Sequence, residues 1–162
     1  MIAYFDASAL VKRYLVEQGS RETIAFMAEA EMVATSTVSR AEVAAALAKA
    51  GRIGLVTENV ARTAQRSFDG DWQDLLRVPV TEALVDRARA LAWDYALRGY
   101  DAVQLASAVT WQESVGTEII VATFDTQLWT ATRQVGMTSW PEDVTAPGRI
   151  GARTGPRDPE TQ

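Results

Sequence analysis

Residues 1–15 read Met1-Ile-Ala-Tyr-Phe-Asp6-Ala-Ser-Ala-Leu-Val-Lys-Arg-Tyr-Leu15, and this stretch decides the fold. The apolar run at 2–5 is typical of a short buried strand, and an aspartate follows it at once. Apolar side chains then recur at helical spacing as far as Leu15. Open α/β sheets hold their ligands at the carboxyl ends of strands, where helices begin. Asp6 therefore occupies a position at which such a sheet presents a functional group.

Strand-like and helical segments alternate along the rest of the chain. Apolar runs predict further strands at 32–36, 75–80, 118–122 and 138–140, and helical periodicity predicts helices at 7–16, 20–30, 39–51, 57–72, 81–95, 126–135 and from Asp101 onward. This alternation favours an α/β fold with a mainly parallel sheet. Prolines concentrate after Pro141, so we expect one domain over 1–146 and an extended or disordered tail over 147–162.

Two missing residue types narrow the possible chemistry. None of the 162 residues is Cys or His, which excludes disulfides, thiolate or imidazole metal sites and nucleophiles activated by histidine. Enzymatic chemistry must then use carboxylates, hydroxyls, Lys, Arg or a metal ion. The net charge of −5 argues against a strongly basic nucleic-acid binder. No apolar run reaches the ~18 residues of a membrane span and we see no signal peptide, so we expect a cytoplasmic protein.

Four carboxylates fall where the predicted elements meet. Asp6 and Asp125 end predicted strands, Glu42 follows a strand by a short loop, and Asp101 opens a helix. In a parallel sheet these points share one edge, where two ionised acids ~5 Å apart repel by roughly 3 kcal/mol. Cations or protons must offset that repulsion, and an oxygen-only donor set suits Mg²⁺ or Mn²⁺. Such an ion activates water for attack at phosphorus without a histidine.

Each of these residues also has a purely structural interpretation. Asp and Glu are common at helix starts, and Ser39 with Glu42 has the spacing of a capping box that would only close its own helix. Ser8 and Thr123 stand beside two of the acids, where they either hydrogen-bond a carboxylate or a metal-bound water, or cap locally. Five cations flank the predicted site and either bind phosphates or form an ordinary charged surface: Lys12, Arg13, Arg40, Lys49 and Arg98.

Four segments of the chain match a known family. They are Tyr4-Phe-Asp-Ala-Ser-Ala-Leu-Val-Lys12, Ser39-Arg-Ala-Glu-Val43, Leu97-Arg-Gly-Tyr-Asp-Ala-Val-Gln-Leu-Ala-Ser-Ala108 and Ala122-Thr-Phe-Asp-Thr126. Through them, residues 1–140 resemble PIN-domain ribonucleases, and most closely the VapC-type toxins of bacterial toxin–antitoxin pairs. The first and third segments are fairly specific for the family, whereas the other two are weak evidence without them.

The resemblance implies a small three-layer α/β/α sandwich and an Mg²⁺- or Mn²⁺-dependent endoribonuclease that hydrolyses RNA phosphodiester bonds. It carries over the four acids as metal ligands and catalytic residues, namely Asp6, Glu42, Asp101 and Asp125. With RNA as the substrate, three of the flanking cations become candidate RNA-binding residues, namely Lys12, Arg13 and Arg98. The family also implies a homodimer and a cognate antitoxin. Some relatives have a further acid where this chain has Gln127 and Leu128, which leaves open whether a second metal binds without substrate.

Other classes fit parts of this pattern. Phosphatases of the haloacid dehalogenase type have a second Asp two residues after the first, where this chain has Ser8. Receiver domains need a Lys after a late strand, whereas this chain has no Lys beyond Lys49. The remaining alternative is a catalytically silent PIN-like module that binds RNA or a protein. Because a binding scaffold has no need to bear the repulsion among four acids, we favour the nuclease.

Overall fold

The computed structural model describes residues 1–145, which form a five-stranded parallel sheet between two layers of helices. The strands are β1 (Ile2–Phe5), β2 (Met32–Ser36), β3 (Leu76–Val78), β4 (Ile120–Ala122) and β5 (Thr138–Trp140). The helices are α1 (Ala7–Tyr14), α2 (Ser20–Ala28), α3 (Ser39–Arg52), α4 (Glu58–Asp71), α5 (Glu82–Tyr95), α6 (Gly99–Val115) and α7 (Thr126–Gln134), and a 3-10 turn (Trp72–Asp74) follows α4. The predicted α/β class with a parallel sheet is confirmed. The tail predicted over 147–162 lies outside the described residues.

The two faces of the sheet are covered by different helices because side chains alternate along each strand. On one face, Tyr4 and Val121 belong to a buried cluster with side chains from α5, α6 and α7, among them Leu105. On the other face, Ala3 and Phe5 pack with side chains from α1, α3 and α4. Each buried Leu, Val or Phe side chain contributes roughly 1.5–3 kcal/mol of burial free energy. The expected three-layer α/β/α architecture is confirmed.

The strand order places β1 at the centre of the sheet. The order is β3-β2-β1-β4-β5, so β1 pairs with β2 on one side and with β4 on the other. Phe5 is in register with Ala122, and the amide of Asp6 continues this pairing by donating to the Ala122 carbonyl at 3.1 Å. Strands β2 and β3 lie on one side of β1, and β4 and β5 lie on the other, so the strand order reverses at β1. Open α/β sheets form their ligand sites at such a reversal.

Two helix starts differ from the sequence-based expectation. Helix α6 begins at Gly99, so Asp101 lies inside its first turn and does not open it. Helix α3 has Val38 as its N-cap and no side-chain capping bond, although Ser39 was predicted to cap it. Within the described residues, no helix combines the length and the apolar character that crossing a bilayer requires.

Candidate active site

Asp6 is the most enclosed of the four acids, with 4% of its surface exposed. Its Oδ1 accepts hydrogen bonds from the Ala9 amide at 2.9 Å and from the Ser8 hydroxyl at 2.7 Å. Its Oδ2 accepts from the Thr123 hydroxyl at 2.9 Å. Asp6 is thus the N-cap of α1, as its structural interpretation requires, and it is also fixed in orientation by two side chains that the sequence analysis placed beside it.

The electrostatic environment of Asp6 lacks a positive partner. Burial raises the pKa of this carboxyl to about 7, and the nearby charge of Glu42 adds to the increase, although the hydrogen bonds from Ala9, Ser8 and Thr123 oppose it. Within residues 1–145, neither Asp6 nor Glu42 takes part in an ion pair. A cation close to these two acids would therefore offset a large electrostatic cost.

The Ser8 and Thr123 hydroxyls connect Asp6 to the segment that follows β4. The Phe124 amide donates to the Ser8 Oγ at 2.8 Å, and the Asp125 amide donates to the Thr123 Oγ1 at 3.1 Å. Each hydroxyl therefore donates to Asp6 while accepting from the backbone of this segment. The two hydroxyls fix the position of Asp125 relative to Asp6.

Asp101 and Asp125 share one cation, Arg98. The Arg98 Nε donates to Asp101 Oδ2 at 2.8 Å, and its Nη2 donates to Asp125 Oδ2 at 2.7 Å. Asp125 is also the N-cap of α7, since its Oδ1 accepts from the amides of residues 127 and 128. Burial is the main cause that raises the pKa of Asp101, and the charge of Asp125 adds to it, while Arg98 lowers it.

Glu42 does not close a capping box, so that structural interpretation is wrong. Its carboxylate instead accepts a short hydrogen bond from the Gln104 side-chain amide, which also donates to the Ser39 Oγ at 2.9 Å. Ser39 is fully buried, and its Oγ accepts a hydrogen bond from the Thr35 hydroxyl of β2 at 2.7 Å. The Ser39 side chain therefore bonds to the sheet and does not cap α3. Burial raises the pKa of Glu42, and the charge of Asp101 adds to the increase.

Gln104 is a site residue that the sequence analysis missed. It is 2% exposed, and its Oε1 accepts from the buried Tyr4 hydroxyl at 2.6 Å. A buried amide that satisfies a tyrosine, a serine and a glutamate fixes three elements of the fold relative to each other. The available signal was its spacing, because Gln104 lies three residues after Asp101 on a helix made largely of small residues.

The four acids thus form one connected neighbourhood, although they come from distant parts of the chain. Arg98 forms ion pairs with both Asp101 and Asp125. The charge of Asp101 helps to raise the pKa of Glu42, and the charge of Glu42 helps to raise the pKa of Asp6. The structure therefore brings together the set of carboxylates that the sequence pattern singled out.

Of the three cations predicted to bind RNA, only Arg98 contacts these acids. The Lys12 ammonium is held by Glu17 at 3.0 Å and by the Gln18 carbonyl at 2.7 Å, and it lies 4.2 Å from the centre of the Phe124 ring. The Arg13 guanidinium pairs with Asp71 of α4 at 3.0 Å. In this arrangement Lys12 links the segment after α1 to the Phe124 ring, and Arg13 links α1 to α4.

The donor set fits a hard divalent cation, because four carboxylates and two hydroxyls offer oxygen ligands alone. Residues 1–145 nevertheless contain no group of three or more acidic side chains that could hold a metal ion as they now lie. In this arrangement two other side chains engage these acids. Arg98 occupies one oxygen each of Asp101 and Asp125, and Gln104 occupies one oxygen of Glu42. A divalent cation at this edge would lie near the Arg98 guanidinium, which forms ion pairs with two of the same acids.

Known proteins share this sequence pattern and this fold. A PIN-domain family model matches residues 3–132. Ribonuclease VapC45 of Mycobacterium tuberculosis (strain CDC 1551 / Oshkosh) is 37% identical over 136 residues, which cover 83% of this chain and 92% of that protein.

Solved structures resemble it in fold. A toxin–antitoxin complex from Klebsiella pneumoniae has a chain with a TM-score of 0.53 at 19% identity, covering 76% of this chain and 87% of that one. PAE2754 from Pyrobaculum aerophilum has a TM-score of 0.59 at 22% identity, covering 86% of this chain and 83% of its own.

Proposed function

Because this chain belongs to the PIN-domain family, we propose that it is a metal-dependent endoribonuclease and the toxin of a toxin–antitoxin pair. One observation carries this function. Four acids from separate elements lie around the carboxyl edge of the sheet and influence one another's charge, and two of them, Asp6 and Glu42, have no ion-pair partner in the described part of the chain. A scaffold that only binds would not need this uncompensated charge.

The acids are proposed to hold a divalent cation, as nucleases of this family generally do. A bound Mg²⁺ or Mn²⁺ would supply an activated water and a positive charge for the leaving oxygen of the phosphodiester. The ligands would be Asp6, Glu42, Asp101 and Asp125. The protein prepares one of them, because Ser8 and Thr123 fix the Asp6 carboxylate in a single orientation.

RNA is the proposed substrate, since the 37%-identical relative is named a ribonuclease. Of the predicted RNA-binding cations, Arg98 is best placed to meet a phosphate at the acids, because Lys12 and Arg13 are held by other residues. We also propose a cognate antitoxin, a homodimer and a cytoplasmic location. A structural neighbour titled as a toxin–antitoxin complex supports the antitoxin.

The function is tested by RNA cleavage with purified full-length protein free of antitoxin. Total RNA is incubated with Mg²⁺ or with EDTA, using wild type, Asp6→Asn and Asp101→Asn. Asp86→Asn is the matched control, because Asp86 is an exposed acid on α5 that forms a surface ion pair with Arg89. We expect cleavage with Mg²⁺ by wild type and Asp86→Asn alone. Identical RNA patterns with Mg²⁺ and with EDTA would favour the catalytically silent binding module.

A further inference from the structure

Arg98 lies across the solvent side of two of the acids. Its side chain is 68% exposed, whereas the side chains of Asp101 and Asp125 are 14% and 25% exposed. The guanidinium donates one hydrogen bond to each carboxylate, at 2.8 Å and 2.7 Å. These are charge-assisted bonds to the same acids that are the proposed metal ligands.

Few other contacts hold the guanidinium of Arg98 in place. In the described part of the chain, its hydrogen bonds go to those two carboxylates, and it stacks on no aromatic ring. By contrast, the Lys12 ammonium is fixed by an acid, a carbonyl and a ring. Arg98 is also the N-cap of α6, in extended conformation, so its own backbone lies outside the helix. The side chain can therefore leave the acids without disturbing the core.

The two pairs of acids differ in whether a cationic side chain neutralises their charge. Arg98 compensates Asp101 and Asp125, whereas Asp6 and Glu42 have no ion-pair partner within residues 1–145. Arg98 engages Oδ2 of both Asp101 and Asp125, so a divalent cation bound to these acids would lie close to the guanidinium, and two cations cannot share that space at low cost.

We propose that Arg98 is a built-in counter-ion that competes with the divalent metal for Asp101 and Asp125 and leaves them when the metal binds. This inference rests on the proposed function. It makes Arg98 a positioning residue that keeps the acids together in the metal-free protein. The displaced guanidinium then stands free at the rim of the site, where an RNA phosphate would approach.

The competition predicts that metal binding tightens when Arg98 is removed. Binding of Mn²⁺ to the metal-free full chain is followed by the electron paramagnetic resonance signal of the free ion, at neutral pH and low salt. Arg98→Gln should bind Mn²⁺ about tenfold more tightly than wild type. The matched control is Arg89→Gln, which removes the same charge from an exposed pair with Asp86 at the same i,i+3 spacing, and its affinity should stay within about twofold of wild type. An Arg98→Gln affinity equal to or weaker than that of wild type would overturn the proposal.

Asp6→Asn separates this inference from the proposed function. If wild type binds Mn²⁺, Asp6→Asn binds it far more weakly and Arg98→Gln matches wild type, only the role of Arg98 fails. If neither wild type nor Arg98→Gln binds Mn²⁺, the metal site itself is wrong and both proposals fall. Far-ultraviolet circular dichroism of each variant verifies that the chains compared are folded.

Discussion

Replacing Asp6 with asparagine should make the metal-free protein more stable at alkaline pH, although the change removes a proposed catalytic residue. Asp6 is buried, and burial raises its pKa to about 7 in the folded protein. Asparagine is as good an N-cap as aspartate, so the capping bond to the Ala9 amide is kept. The substitution therefore removes the charge and the oxygen that accepts from the Thr123 hydroxyl, and the second loss does not depend on pH in this range.

The magnitude follows from proton linkage. An aspartate in an unfolded chain has a pKa of about 4, so between about pH 4 and pH 7 the folded protein holds the Asp6 proton more tightly than the unfolded chain does. Stability must then fall as pH rises through this window. With these two pKa values, the free energy of unfolding of wild type decreases by about 2 to 3 kcal/mol from pH 5 to pH 8 through Asp6 alone. Glu42 and Asp101 also have raised pKa values and add a decrease of the same sign, which the variant retains.

The assay is equilibrium urea unfolding in EDTA at several pH values from 5 to 8, with wild type, Asp6→Asn and Asp86→Asn. The difference between Asp6→Asn and wild type should grow towards pH 8, while the exposed Asp86→Asn control tracks wild type. Adding Mg²⁺ at pH 8 should stabilise wild type and not Asp6→Asn, because a ligand that binds only the folded state raises its stability. A difference that is constant with pH, or a wild type that becomes more stable from pH 5 to pH 8 relative to Asp6→Asn, would refute the burial argument.

Three further substitutions probe the surrounding network. Gln104→Leu should lower the free energy of unfolding by about 1–3 kcal/mol, because Tyr4 and Glu42 lose a buried hydrogen-bond partner; urea unfolding equal to wild type would contradict this. Thr123→Val keeps the side-chain shape but removes a hydrogen-bond donor to Asp6, so the pKa of Asp6 should rise. The pH range in which stability falls should then move to higher pH, and a move to lower pH would argue against this reasoning. Lys12→Met should cost about 1 kcal/mol of stability, because the ammonium loses its bonds to Glu17 and the Gln18 carbonyl. It should leave Mn²⁺ affinity unchanged, and an affinity change as large as that of Arg98→Gln would place Lys12 in the metal site.

Much of the fold and the location of the site could be predicted from local pattern. Apolar runs and helical spacing define the strands and helices, and a parallel sheet brings its carboxyl ends to one edge. Asp6 and Asp125 directly follow the strand runs, so their meeting at that edge depends only on β1 and β4 being neighbours.

The remaining features depend on contacts that no local pattern records. The partner of Glu42 is Gln104, 62 residues further along the chain, and the Ser39–Glu42 spacing suggested a helix cap that the structure does not form. Arg98 resembles any exposed arginine until α6 and α7 place Asp101 and Asp125 on either side of it.

The most direct measurement is an anomalous diffraction map from crystals grown with Mn²⁺. The proposed site predicts a manganese peak within about 2.0–2.3 Å of a carboxylate oxygen of Asp6 and of at least one of Asp101 and Asp125, with Arg98 moved away from both. A peak bound elsewhere on the chain, or saturating Mn²⁺ with Arg98 still bridging the two acids and no peak beside Asp6, would contradict it.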